Sequence, residues 1–91
     1  MLVTRGAGTG YYVDASHSLA LVPPVIHAVN PIGSGDAVTA GIAVASARGL
    51  ELQEVLAYGM ACGAANALNL ISGCICMEDV ERLVPDVGII E

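Results

Sequence analysis

The chain has 91 residues, enough for one small domain with a single core and too few for two. It is 55% hydrophobic and 13% charged, with no Phe and no Trp, so its core is built from Val, Leu, Ile, Ala and Met, and it carries no signature of disorder. A net charge of −6, with no lysine and only three arginines (Arg5, Arg48 and Arg82), excludes the basic stripe that nucleic-acid binding requires.

"LVT" at Leu2 to Thr4 is a short apolar run that ends in a glycine-rich turn, "RGAGTG". "YYVDA" and "SLALV" follow as two strands around the turn residues "ASHS", which predicts a hairpin. "PPVIHAV" is extended, because the residue before a proline is pushed out of helix. After "NPIGSG" the apolar period changes to that of a helix, with Val38, Ile42 and Ala45 on one face. Arg48 falls in its last turn and Gly49 is its stop. A second helix starts near Glu51, with Leu52, Val55, Leu56, Gly59, Met60, Gly63, Ala67 and Leu68 at helical spacing. Its other face, Glu51, Glu54, Tyr58, Cys62, Asn66 and Asn69, is predicted to be acidic and then weakly polar. "SGCIC" is a break with a short strand, and "MEDVERLV" is a last short helix ended by Pro85.

Cys62, Cys74 and Cys76 make an odd count, which argues against a disulfide framework and for a reduced, cytoplasmic setting. Cys74 and Cys76 lack the spacing of a zinc knuckle, and His17 and His27 are distant in sequence, so no metal site is expected. The start of the chain has no long apolar segment of the signal-peptide type. Val55 to Met77 is uncharged and long enough to span a bilayer. It is interrupted by Gly59, Gly63, Asn66, Asn69 and Gly73 and has no basic flank, so a buried helix is the expectation rather than a membrane segment.

The glycine turns carry the chemistry. A phosphate loop of the Walker type needs a lysine, and the chain has none. A dinucleotide fingerprint would need glycine where Tyr11 and Val38 stand. What remains is "GSGD", Gly33 to Asp36, a glycine turn that opens directly into a helix. Such a turn aims several backbone N–H groups at one point, where the helix dipole adds positive potential. An aspartate beside it can accept a proton from a hydroxyl while the N–H groups hold a transferring phosphoryl group. The same residues also suit an ordinary helix start with a favourable acidic charge.

"NPIGSGDAVTAGIA" resembles the signature of the PfkB-type, ribokinase-like carbohydrate kinases. Its Asn-Pro opening and its serine look most like the phosphosugar branch, the 1-phosphofructokinases and tagatose-6-phosphate kinases. "LVTRGAGTGYYV", "ARGLELQEVLAYGMACGAANAL" and "MEDVERLV" are similar to the strand and turn before this signature, the helix after it and the terminal helix. The resemblance implies an α/β fold, the C-terminal part of a three-layer α/β/α architecture. It implies ATP as cofactor with Mg2+ carried by the nucleotide, Asp36 as catalytic base, and Gly33, Ser34 and Gly35 as anion hole. Thr4 and Gly6 then match the turn that approaches the ATP phosphates, and Met60, Gly63 and Asn66 the helix that flanks the adenine. One glycine departs from the family turn, because Thr9 stands between Gly8 and Gly10.

Family members are about three times longer, as their fold requires. Residues 1–91 are therefore expected to be a single partial domain on the ATP side, without the sugar-binding and lid part. A parallel sheet without its N-terminal strands would show an unpaired edge and an apolar face, which predicts self-association or a partner chain. Little sugar kinase activity is expected from the chain alone. A non-catalytic nucleotide-binding or interaction module is the other reading of the same turn.

Overall fold

In the computed structural model, which describes residues 1–5, 8–26, 33–68 and 75–91, the chain begins with three strands. These are β1 (Leu2–Arg5), β2 (Gly8–Val13) and β3 (Ser18–Val22). Three helices follow, α1 (Ser34–Ala47), α2 (Leu52–Ala67) and α3 (Met77–Leu83), and then a short strand β4 (Gly88–Ile90). The sheet order is β1-β2-β3-β4. The expected parallel sheet is not met among the described strands. All pair antiparallel, because strands this close in sequence can only fold back on each other, and β4 joins β3 in the same sense.

The register sorts the side chains into two faces. Leu2, Tyr12 and Leu19 lie opposite one another, as do Leu21 and Ile89, and these residues meet the helices. Val3, Tyr11, Ala20 and Ile90 form a row on the other face. There Val3, Tyr11, Val13, Val22 and Ile90 are exposed. Apolar side chains are thus exposed on this face, although the sheet is not the parallel one from which an apolar face is expected.

The core has two parts joined by α2. Leu19 and Leu21 of β3 pack with Val38 of α1 and with Leu56 and Met60 of α2. Ala61, Cys62, Ala64 and Ala65 of α2 pack with Val80 and Leu83 of α3. The prediction that Cys62 and Asn66 lie on a weakly polar face is therefore overturned. Every residue from Gly59 to Ala67 is buried, because α1 covers one side of α2 and α3 another. Burial also raises the pKa of the Cys62 thiol.

The helix limits follow the sequence signals closely. Gly49 takes the left-handed conformation, with φ 76°, just after Arg48 caps α1. Arg48 is thus the cap itself, not part of the last turn, and its guanidinium lies 5.7 Å from the centre of the Tyr58 ring. α3 ends at Leu83, and Pro85 falls in a 3₁₀ turn over Val84–Asp86. β4 was not foreshadowed in the sequence pattern. Pro23 to Ile26 form neither helix nor strand. "SGCIC" from Ser72 to Cys74, Asn69 and His27 to Asn30 lie outside the described residues. No helix among the described residues is long and apolar enough to cross a membrane, and no group of three metal-binding side chains occurs among them.

Candidate functional site

Gly33 has φ 82°, a left-handed conformation that glycine adopts without penalty, and it sets the entry angle of α1. Its carbonyl accepts the first helical hydrogen bond, from the Ala37 N–H at 3.0 Å. The N–H groups of Ser34, Gly35 and Asp36 belong to the opening turn, where an α-helix has no internal acceptors, and no side chain among the described residues caps them. Three parallel donors at the positive end of a 14-residue helix make an anion-binding surface without a cation.

Two residues frame these donors. Asp36 is exposed, and its carboxylate has no hydrogen-bond partner among the described residues. Gly35 is also exposed, and a Cβ built on it would meet nothing within 4 Å. Its backbone is helical, so neither packing within the chain nor backbone strain demands a glycine there. The open space lets another molecule approach the backbone closely.

Behind the turn stands α2. A Cβ on Gly63 would come within 2.6 Å of Val38 Cγ2 and 3.2 Å of the Ser34 carbonyl. Gly41 and Gly59 close the rest of the contact, since a Cβ on Gly41 would meet Cys62 Sγ at 2.7 Å and one on Gly59 would meet the Val38 carbonyl at 3.1 Å. Asn66, fully buried, donates from Nδ2 to Ser34 Oγ at 3.4 Å. Met60 is buried against Leu19, Leu21, Val38 and Leu56. Met60, Gly63 and Asn66 therefore share the stripe of α2 that backs α1, as spacings of three residues require.

The structure thus brings Ser34, Gly63 and Asn66 together, and Met60 joins them through Val38. Thr4 is exposed on β1, beside a bulge between Val3 and Arg5. Gly6 lies outside the described residues. The bulge falls where the sequence departs from the family turn. A Cβ on Gly10 would meet the Val3 carbonyl at 2.8 Å, so a glycine in β2 lets β1 lie close. Sequence reasoning did not assign Val38, Gly41 or Gly59 to the support of this turn. The four-residue spacing of Gly59 and Gly63 is the signal that could have done so.

Residues 1–75 match the model of the pfkB family carbohydrate kinases. The chain is 24% identical over 83 residues to the ATP-dependent 6-phosphofructokinase isozyme 2 of Escherichia coli, covering 91% of this chain and 27% of that protein. A Staphylococcus aureus protein assigned as a phosphofructokinase has the same fold with a TM-score of 0.88 and 29% identity, over 98% of this chain and 28% of its own. A carbohydrate kinase from Agrobacterium tumefaciens matches with a TM-score of 0.69 and 26% identity, over 98% of this chain and 31% of its own. The chain spans less than a third of the length of these relatives. With the family match running through both the hairpin and the glycine turn of α1, the chain belongs to the pfkB family of carbohydrate kinases.

Proposed function

We propose that the chain forms the ATP side of a phosphosugar kinase site, a single partial domain whose sugar-binding and lid part lies elsewhere. The observation that carries this reading is the pairing of three N–H donors, uncapped among the described residues and under an open Gly35, with an Asp36 carboxylate that has no partner among them either. In the reaction the carboxylate of Asp36 takes the proton of a sugar hydroxyl. The hydroxyl oxygen then bonds to the γ-phosphorus of ATP, and the bond from that phosphorus to the bridging oxygen of ADP breaks. Gly33, Ser34 and Gly35 form the hole that holds the transferring oxygens. Mg2+, carried with the nucleotide, would offset the phosphate charge. Thr4 and Gly6 approach the phosphates from the β1 side, and Met60, Gly63 and Asn66 belong to the helix on the adenine side.

Alone, the chain turns over little phosphosugar. Of its arginines, Arg48 stacks on Tyr58 and Arg82 pairs with Asp79 at 3.5 Å, so neither is committed to a sugar phosphate. The first test is a calorimetric titration of the 91-residue chain with Mg-ATP, with Gly35→Val as control. Saturable binding that the variant loses is expected, and no binding by the wild type would overturn the reading. A nucleotide-binding module without catalysis is separated by Asp36→Asn, which spares binding in both cases but abolishes transfer only in a kinase.

The edge of β1 and the apolar face of the sheet take a second chain in this reading, by self-association or with a separate partner. One relative, the phosphofructokinase-2 of Escherichia coli, is tetrameric in its inhibited form. Light scattering at tens of micromolar, roughly the range of weak association, is expected to show more than a monomer, and a clean monomer would count against it.

A further inference from the structure

We infer that Asn66 is a positioning residue for the anion-binding turn, which it serves by setting the direction of the Ser34 hydroxyl. The inference rests on the proposed phosphate site at the start of α1 and adds a residue that acts on it from behind. Asn66 is fully buried between α1 and α2, and its Nδ2 donates to Ser34 Oγ at 3.4 Å. An amide NH₂ group has hydrogens to give and no lone pair to offer. Ser34 Oγ must therefore accept this bond, and the hydroxyl hydrogen points away from Asn66, where it can be donated to an anion oxygen.

The geometry leaves the pair little freedom. Gly63, one turn before Asn66 on α2, brings the two helices so close that a Cβ would stand 3.2 Å from the Ser34 carbonyl and 2.6 Å from Val38 Cγ2. The backbone of Ser34 is thus braced by Gly63 and its side chain by Asn66. Among the described residues the turn has no side-chain cap that could do the same. In this arrangement a buried amide, reached by no solvent, gives the anion a fourth donor besides the three backbone N–H groups.

The test is a double-mutant cycle on Mg-ATP binding by the 91-residue chain. Asn66→Ala and Ser34→Ala are each expected to weaken binding about threefold to tenfold, the worth of one neutral hydrogen bond. The double variant is expected to bind no more weakly than Ser34→Ala alone, because both changes remove the same donor. Denaturant unfolding, run in parallel, separates affinity from stability. A purely structural Asn66 would lower the unfolding midpoint, while its effect on affinity would be absent or would multiply with that of Ser34→Ala, and either result overturns the inference.

If Asn66→Ala does not fold, Ser34→Ala and the wild type decide the matter by nuclear magnetic resonance. The Asn66 side-chain NH₂ resonances are expected to move on Ser34→Ala and again when Mg-ATP binds the wild type. Resonances that stay still in both cases overturn it. Failure of the wild type to bind Mg-ATP brings down the proposed function and this inference with it. Binding by the wild type with multiplicative single effects brings down the inference alone.

Discussion

The chain places an aspartate at each of two turns, the hairpin loop between β2 and β3 and the first turn of α1, and the two carboxylates are used in opposite ways. Asp14 is consumed by its own loop. It accepts from the Tyr12 hydroxyl, from the Ser16 N–H and from the His17 N–H, each at 2.7 Å, and it meets the His17 ring at 3.1 Å. These bonds, led by that from Tyr12, hold the Asp14 carboxyl well below the usual carboxylate range and raise the Tyr12 pKa in return. Asp36 makes no such bond among the described residues. Its turn is held from behind, by the contact of α1 with Gly63 and Asn66. An acid that stabilises its own loop has fewer lone pairs to spare for a ligand. An acid whose turn is braced by another element keeps them.

The largest effect expected from this contrast comes from removing the brace. Gly63→Ala puts a methyl group 2.6 Å from a valine methyl and 3.2 Å from a backbone carbonyl, and α1 must move to admit it. Overpacking of this kind costs about 1–3 kcal/mol, which for a domain of this size lowers the melting temperature by roughly 4–8 °C per kcal/mol. Thermal unfolding followed by circular dichroism reads this directly. A wild-type melting temperature would show that the turn is not held through α2.

How far the sequence announces these features depends on how local their causes are. The hairpin follows from alternating apolar residues around "ASHS", and both ends of α1 follow from glycine chemistry at Gly33 and Gly49. The start of α2 at Glu51 is likewise a local matter. β4 is not, because "GII" becomes a strand only when β3, far earlier in the chain, offers it an edge. The burial of Cys62 and Asn66 is also decided by tertiary contact. Helical spacing places both on one face, and only the positions of α1 and α3 determine whether water reaches it. At the site, the open turn and its aspartate are legible in "GSGD", whereas the brace is not, since Gly63 and Asn66 meet Ser34 across the fold.

The next effect in size concerns the hairpin. A carboxyl with a depressed pKa in the folded chain contributes stability above its unfolded value, near 3.8, and loses that contribution as the pH falls below it toward the folded value. The wild-type melting temperature is therefore expected to drop as the pH falls from about 5 to about 3. Asp14→Asn is expected to melt lower than the wild type at neutral pH and to show a shallower fall over that interval. Equal slopes for the two proteins would mean that the loop is stable without its acid.

The smallest effect belongs to the first turn of α1, and its sign distinguishes the two turns most sharply. Gly35→Ala adds a methyl group where nothing lies within 4 Å, in a backbone that is already helical. The lower entropy of the unfolded chain then favours folding by about 0.5–1 kcal/mol. Asp36→Asn removes a favourable charge at the helix start, worth about 0.3–1 kcal/mol. Combined, the two changes are expected to leave the melting temperature close to that of the wild type while eliminating Mg-ATP binding, because the added methyl group blocks the close approach to the backbone donors. A turn built for stability would lose more on removal of its acid than the charge at a helix start is worth, and the gain from Gly35→Ala would not offset it. A turn kept open for an anion loses the ligand and keeps the fold. A double variant that melts well below the wild type would place Asp36 with Asp14 as a residue that serves the chain itself, and one that still binds Mg-ATP would show that the backbone donors under Gly35 do not hold the anion.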